Sequence, residues 1–177
     1  MTSQIMLAGF GGQGILFAGK FLAYTGLVED RQVSRLPSYG PEMRGGTCNC
    51  NVIISDDPVG SPIISTPDVL IVMNIPSLDK YEETVAPGGM IICDSTLIER
   101  KVARTDVTTV YIPATKLASD NDIPALANMI IVGKLLETMG TCGEDTIMAA
   151  LSKTVPASRP EMLEANKKAL QIGRDFK

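Results

Sequence analysis

Histidine and tryptophan are missing from this 177-residue chain, and phenylalanine and tyrosine supply only four residues each. Without histidine there is no side chain whose unperturbed pKa falls between pH 5 and 8. Ser-His-Asp and Cys-His triads, histidine-ligated zinc and H-E-x-x-H helices are thereby excluded. The expectation is a chain with no catalytic residue and no metal site of its own, so that a cofactor or a partner supplies the proton chemistry. Four cysteines, Cys48, Cys50, Cys93 and Cys142, include no C-x2-C pair of the kind that holds zinc or an iron–sulfur cluster. On a strand Cys48 and Cys50 would face one side with their thiols about 7 Å apart. Half a metal site or a redox pair is one reading, and small buried hydrophobes the simpler one. No run approaches the roughly 18–20 apolar residues of a membrane span, and no positively charged leader opens the chain. A cytoplasmic protein without a membrane partner is expected. Basic clusters are also wanting: 16 Lys and Arg stand against 20 Asp and Glu, a net charge of −4, which argues against a nucleic-acid partner.

What is present is an ordinary globular composition, 45% apolar and 20% charged. The length suits one domain over residues 1–177, able to bury about 70% of its unfolded surface without disulfides or metal. A short apolar strand, Ile5 to Ala8, runs into Gly9-Phe10-Gly11-Gly12-Gln13-Gly14. Helical spacing follows through Ile15, Leu16, Ala18, Phe21 and Leu22, with Gly26 suited to end that helix. Further strands are expected at 32–36, ended by Pro37, at 47–54, at 69–73, at 90–93 and at 107–112, where Pro113 stops the ladder. Continuous apolar runs such as Val69 to Met73 suit parallel strands buried on both faces. Helices are expected at 78–85, 126–139, 142–153 and 159–174, the last two opened by S/T-x-x-E capping boxes at Thr141-Glu144 and Ser158-Glu161. Strands alternating with helices after a glycine loop make an α/β fold, a Rossmann-like doubly wound and mostly parallel sheet with flanking helices.

Two motifs carry the chemistry. Gly9-x-Gly11-x-x-Gly14 has the spelling and the strand–helix context of a phosphate loop: glycine admits a close ligand, and the helix start offers unpaired amides with partial positive charge. The same glycines would also serve a tight turn and close packing. A nicotinamide dinucleotide site wants a carboxylate at the end of the second strand. Here Pro37, Ser38 and Tyr39 occupy that place, and Arg35 stands alone as a candidate for a 2′-phosphate. The second motif, Tyr39-Gly40-Pro41-Glu42-Met43-Arg44-Gly45-Gly46, sets a carboxylate and a guanidinium fork suited to phosphate or carboxylate in a turn-rich stretch. It leaves the second strand beside the first loop if the sheet is doubly wound. Asp94, at a strand end, is read as a helix cap, and Asn128, polar in an apolar run, as a structural residue with a hydrogen-bond partner.

Together these motifs resemble the gamma subunit of 2-oxoacid:ferredoxin oxidoreductases, with further echoes in Thr66-Pro67-Asp68-Val69-Leu70, Pro87-Gly88-Gly89, Ile112-Pro113-Ala114-Thr115 and Ala127-Asn128-Met129. The chain looks most like the 2-oxoglutarate type, with branched-chain 2-oxoacid enzymes close behind. Such enzymes decarboxylate a 2-oxoacid oxidatively, form an acyl-CoA and reduce ferredoxin. The resemblance implies thiamine diphosphate, Mg and iron–sulfur clusters on alpha, beta and delta partner subunits, with ferredoxin contacted only indirectly. For this chain it implies no cofactor bound alone and a share in a coenzyme A site. Gly9, Gly11, Gly12, Gln13 and Gly14 would face the anionic part of coenzyme A, with Tyr39, Glu42, Arg44 and Gly45 at the same mouth. An isolated chain would be free to form a homo-oligomer. The alternatives are a free-standing NAD(P)-binding reductase and a purely structural subunit.

Overall fold

The computed structural model describes residues 1–39 and 47–177. Its strands are β1 (Thr2–Phe10), β2 (Gln32–Tyr39), β3 (Thr47–Ser55), β4 (Val69–Val72), β5 (Met90–Asp94) and β6 (Thr108–Ile112). Its helices are α1 (Ile15–Val28), α2 (Ile75–Tyr81), α3 (Ala114–Asp120), α4 (Ala127–Met139), α5 (Glu144–Thr154) and α6 (Pro160–Asp175). The strands form one sheet in the order β2-β3-β1-β4-β5-β6. From β1 through β4 and β5 to β6 the pairing is parallel. On the other side of β1 it is antiparallel, because β3 runs against both β1 and β2. The doubly wound half is the expected one; the antiparallel β3 makes the sheet mixed.

Alternation along each strand divides the apolar residues between two faces. Ile5, Leu7, Cys48, Cys50, Val52, Ile54 and Ile71 meet α1, α4, α5 and α6. Met6, Ala8, Ile53, Leu70, Val72, Ile91 and Cys93 meet Leu78 of α2, Val85 and Ile98. Phe21 of α1 is wholly buried in the first cluster, where truncation to alanine costs about 3–5 kcal/mol. No helix joins β5 to β6 across the second face. Residues 95–107 cross it instead, held by Arg100 to Asp79 and Glu82 at 2.7 Å each and by Arg104 to the Val85 carbonyl at 2.5 Å. Glu82 also accepts from the Ala103 amide. Burial alone would push the Glu82 carboxyl up; the Arg100 and Ala103 hydrogen bonds and the Arg100 charge outweigh it and hold the group below its usual range.

Several local expectations are corrected. Pro37 does not end β2, which continues to Tyr39; β2 is an edge strand, where a missing N–H is tolerated. Gly26 does not end α1 but lies inside it, where a Cβ would sit 2.7 Å from Val33 and 2.9 Å from Ile54; glycine there lets helix and sheet approach. The helix expected over 78–85 starts at Ile75, because Asn74 caps it, accepting from the Ser77 amide at 2.8 Å. Neither capping box forms: α5 begins after Gly143 and α6 after Arg159, each without a side-chain cap. At α5 the left-handed Cys142 (φ 67) separates Thr141 from the N-cap residue, Gly143. Helix α3 was not expected at all, since Pro113, its N-terminal flank, reads as a break.

Candidate functional site

Since β1 and β2 both run opposite to β3, they point the same way. Tyr39 pairs with Cys48, and Cys48 with Gly9. The end of β2 therefore reaches the edge where the glycine loop leaves β1, as expected, although β3 separates the two strands. Beyond β1 the chain passes to α1 on one face, and beyond β4 to α2 on the other. The β1/β4 boundary is thus the topological switch point, the place where open α/β sheets bind ligands.

Each glycine of the first motif has its own physical reason. A Cβ on Gly9 would stand 2.5 Å from Gln13 Oε1 and 3.1 Å from Ile15. The room so left holds the Gln13 side chain, whose Oε1 accepts from the Phe10 amide at 2.7 Å and whose Nε2 donates to the Met73 carbonyl at 2.9 Å. Gln13 is a strut across the switch point: both ends of its carboxamide are engaged within the protein, so it shapes the loop rather than offering a free group. A Cβ on Gly11 would lie 2.5 Å from the Tyr39 hydroxyl, so the exposed Tyr39 ring rests against the loop. Gly12 (φ 93) and Gly14 (φ 74) occupy the left-handed region, where glycine carries no Cβ penalty. Gly12 is exposed with open space where a Cβ would be.

Gly14 is the N-cap residue of α1, which has no side-chain cap. Among the described residues no hydrogen bond reaches the amides of Gly12, Gly14, Ile15, Leu16 or Phe17. A second helix starts here too. Asn128, in the first turn of α4, donates from Nδ2 to the Gly14 carbonyl at 2.9 Å. At their far ends α1 and α4 again lie together, with Leu22, Thr25 and Gly26 lining one small cavity with Leu135, Leu136 and Met139. The two helices run side by side in the same direction, so two positive dipole ends meet at the glycine loop. Arg35, facing α1 from β2, donates to the Leu16 carbonyl at 3.1 Å and adds a full positive charge beside that first turn. Arg35, read from the sequence as a lone candidate for a 2′-phosphate, and Asn128, read as structural, both stand at this loop; their place there is not legible from spacing, since Asn128 and Gly14 are 114 positions apart.

Of the sequence candidates, the structure brings together Gly9, Gly11, Gly12, Gln13, Gly14 and Tyr39, while Glu42, Arg44 and Gly45 lie outside the described residues. Asp94, fully buried, accepts from the Thr96 amide at 3.1 Å and from the Thr115 hydroxyl at 2.6 Å. It caps α3 from a neighbouring strand and is not a ligand group. The cysteines do not suit a metal or cluster. Cys48 and Cys50 share the α1 face and are buried, Cys93 lies on the opposite face, and Cys142 precedes α5. Burial pushes the Cys48 and Cys50 thiols up and the Cys93 thiol to about 12. No set of three or more metal-ligating side chains occurs among the described residues. None of the described helices is long and apolar enough to cross a membrane.

Fold and edge together define the class: a Rossmann-like α/β domain whose first helix opens, bare, on the ligand-binding edge of the sheet. A family pattern, pyruvate ferredoxin/flavodoxin oxidoreductase, matches residues 4–176. The chain belongs to that family. It is 33% identical over 180 residues to the 2-oxoglutarate synthase subunit KorC of Methanocaldococcus jannaschii, covering 99% of this chain and 96% of that protein. It is 37% identical over 175 residues to the ketoisovalerate oxidoreductase subunit VorA of Methanothermobacter thermautotrophicus, covering 98% of this chain but 36% of VorA. Among solved structures, the gamma subunit of a keto/oxoacid ferredoxin oxidoreductase from Geobacter sulfurreducens superposes with a TM-score of 0.84 at 29% identity, over 99% of this chain and 95% of that one.

Proposed function

We propose that this chain is the gamma subunit of a 2-oxoacid:ferredoxin oxidoreductase, of the 2-oxoglutarate type, and that its glycine loop holds the phosphate end of coenzyme A in a site completed by partner subunits. The observation that carries the ligand reading is the set of unpaired amides of Gly12, Gly14, Ile15, Leu16 and Phe17, placed where α1 and α4 both begin. Thiamine diphosphate, Mg and iron–sulfur clusters belong to alpha, beta and delta partners on this reading, and electrons pass to ferredoxin there. Kinship with KorC over nearly full length supports the 2-oxoglutarate type. Glu42, Arg44 and Gly45 belong by sequence to the connection between β2 and β3, both ends of which stand at this edge, and are assigned to the same mouth. The chain works as one domain, in the cytoplasm.

A nicotinamide dinucleotide is disfavoured by topology. The strand beside β1 on the α1 side is β3, which runs antiparallel and presents Thr47 and Cys48 at the edge. Among the described residues no carboxylate stands there to hold a ribose.

The test is reconstitution with the partner chains and assay with 2-oxoglutarate, ketoisovalerate and pyruvate. Gly12→Asp, which sets a carboxylate among the free amides, is expected to raise the KM for coenzyme A at least about tenfold, the factor for 1.4 kcal/mol, with the KM for the 2-oxoacid unchanged. An unchanged coenzyme A KM refutes the ligand reading. A chain that never copurifies with cluster-bearing partners refutes the subunit reading.

A further inference from the structure

We propose that Asn128 reads the ligand: its free Oδ1, held at the start of α1, accepts a hydrogen bond from a hydroxyl or amide N–H on the same molecule whose phosphate sits on the glycine-loop amides. This rests on the anion site proposed above and adds what that site selects. Asn128 is 4% exposed, and its Oδ1 has no partner among the described residues. Its amide orientation is decided locally. Nδ2 faces the Gly14 carbonyl at 2.9 Å, and the reversed amide would set two oxygens against each other. The free atom is therefore an acceptor. The carboxamide as a whole lies against the loop: a Cβ on Gly14 would be 2.4 Å from Nδ2, 2.9 Å from Cγ and 3.4 Å from Oδ1.

A buried acceptor without a donor is costly, so native structures supply one. Three other buried carboxamide atoms share this state, Asn51 Oδ1, Asn74 Nδ2 and Asn166 Oδ1. Only the Asn128 side chain bonds to the glycine loop. Ionised phosphate oxygens cannot satisfy it, because they are acceptors and are repelled by Oδ1; only a protonated P–OH could, at the expense of the negative charge that the amides attract. The free amides of Gly12, Gly14, Ile15, Leu16 and Phe17 and Asn128 Oδ1 thus ask for opposite things near one helix start: negative oxygens for the amides, a donor for the carboxamide. Fully ionised inorganic phosphate or pyrophosphate meets the first demand alone. A phosphate ester with a hydroxyl or amide close to its phosphate meets both. Asn128 is accordingly a specificity-determining residue, favouring the organic ester over free anions.

The experiment uses the reconstituted holo complex and compares two probes, coenzyme A and inorganic pyrophosphate, each measured by direct binding and by competition with the other. With Asn128→Leu, coenzyme A affinity is expected to fall about 3- to 10-fold, the factor for one hydrogen bond, while pyrophosphate changes by less than about twofold. Asn128→Asp keeps an acceptor oxygen but adds negative charge, so pyrophosphate binding falls more than that of coenzyme A. The preference for coenzyme A over pyrophosphate thus moves in opposite directions in the two variants. Equal losses for both probes in both variants would show that Asn128 only shapes the loop, and would overturn the proposal; so would no change in either. If only one variant assembles, the direction of its preference decides. Failure of pyrophosphate to compete with coenzyme A in the unmodified complex would instead remove the anion site itself, an outcome read before any variant is made.

Discussion

Gly9→Ala perturbs the glycine loop where it is tightest. The added Cβ would fall 2.5 Å from Gln13 Oε1, so the strut must leave, and with it the bonds to the Phe10 amide and the Met73 carbonyl. Two hydrogen bonds at about 0.5–1.5 kcal/mol each give a loss of about 1–3 kcal/mol. Against this stands a gain of about 0.4–1 kcal/mol, because alanine narrows the unfolded ensemble where the native φ suits it; Gly9 lies in β1 without a positive φ. Gln13→Ala should cost about as much as the strut is worth, roughly 1–3 kcal/mol. In the Gln13→Ala background only the Ile15 side chain, 3.1 Å away at its flexible end, still stands close to the Cβ, so Gly9→Ala should become neutral or stabilising. The double-mutant cycle is therefore expected to show coupling of about 1–3 kcal/mol, read from urea midpoints at constant slope. Additive effects, with Gly9→Ala equally harmful in both backgrounds, would refute the strut and place the conflict at Ile15, whose side chain is 3.1 Å from that Cβ.

Gly173→Ala should destabilise by about 3 kcal/mol or more, at the top of the overpacking range, because a Cβ there runs into the backbone carbonyl of Ile130 where α4 and α6 cross; urea unfolding measures it, and a cost under about 1 kcal/mol would contradict that crossing. The chain should lose stability in acid in part through Glu82. Its carboxyl is held below the usual range by Arg100 and the Ala103 amide against the pull of burial, so its contribution is complete above the unfolded value of about 4.3 and vanishes as pH falls through the lowered folded value. Glu82→Gln should therefore flatten the melting-temperature profile between about pH 5 and 3, leaving a residual slope from Asp56, Asp106 and Glu137, which are also lowered. An unchanged profile would deny Glu82 that role. All four thiols are raised by burial, so Ellman's reagent at pH 8 should find no fast-reacting thiol in the native chain and four after denaturation; a prompt native equivalent would contradict the burial of the pair on β3.

What the sequence made legible was local. The run Ile5 to Ala8 followed by Gly9-x-Gly11-x-x-Gly14 announced a strand, a turn and a helix, and the apolar stretches at 69 and 90 announced buried parallel strands. What it hid was set by partners distant along the chain. Helix α3 was invisible because its cap, Asp94, comes from the preceding strand of the sheet. Pro37 read as a terminator because nothing in the sequence says that β2 lies at an edge. The antiparallel course of β3 depends on which strands meet, and spacing carries no trace of it. Within the site, the glycines were legible as a motif, but their individual reasons were not: Gly9 yields to Gln13, Gly11 to Tyr39 and Gly14 to Asn128. Asn128 itself was read as structural with one partner. The half of its carboxamide that bonds Gly14 agrees with that reading, and the unpaired half goes beyond it.

The reversed strand has a consequence for how such a domain can diversify. Because β3 doubles back beside β2, the two strands meet one sheet edge at Tyr39 and Thr47, level with the end of β1. Insertion, deletion or recoding in the sequence between those two residues leaves every described strand with its neighbours. On the function proposed above, selectivity and partner choice can thus drift in that stretch of sequence with the scaffold unchanged.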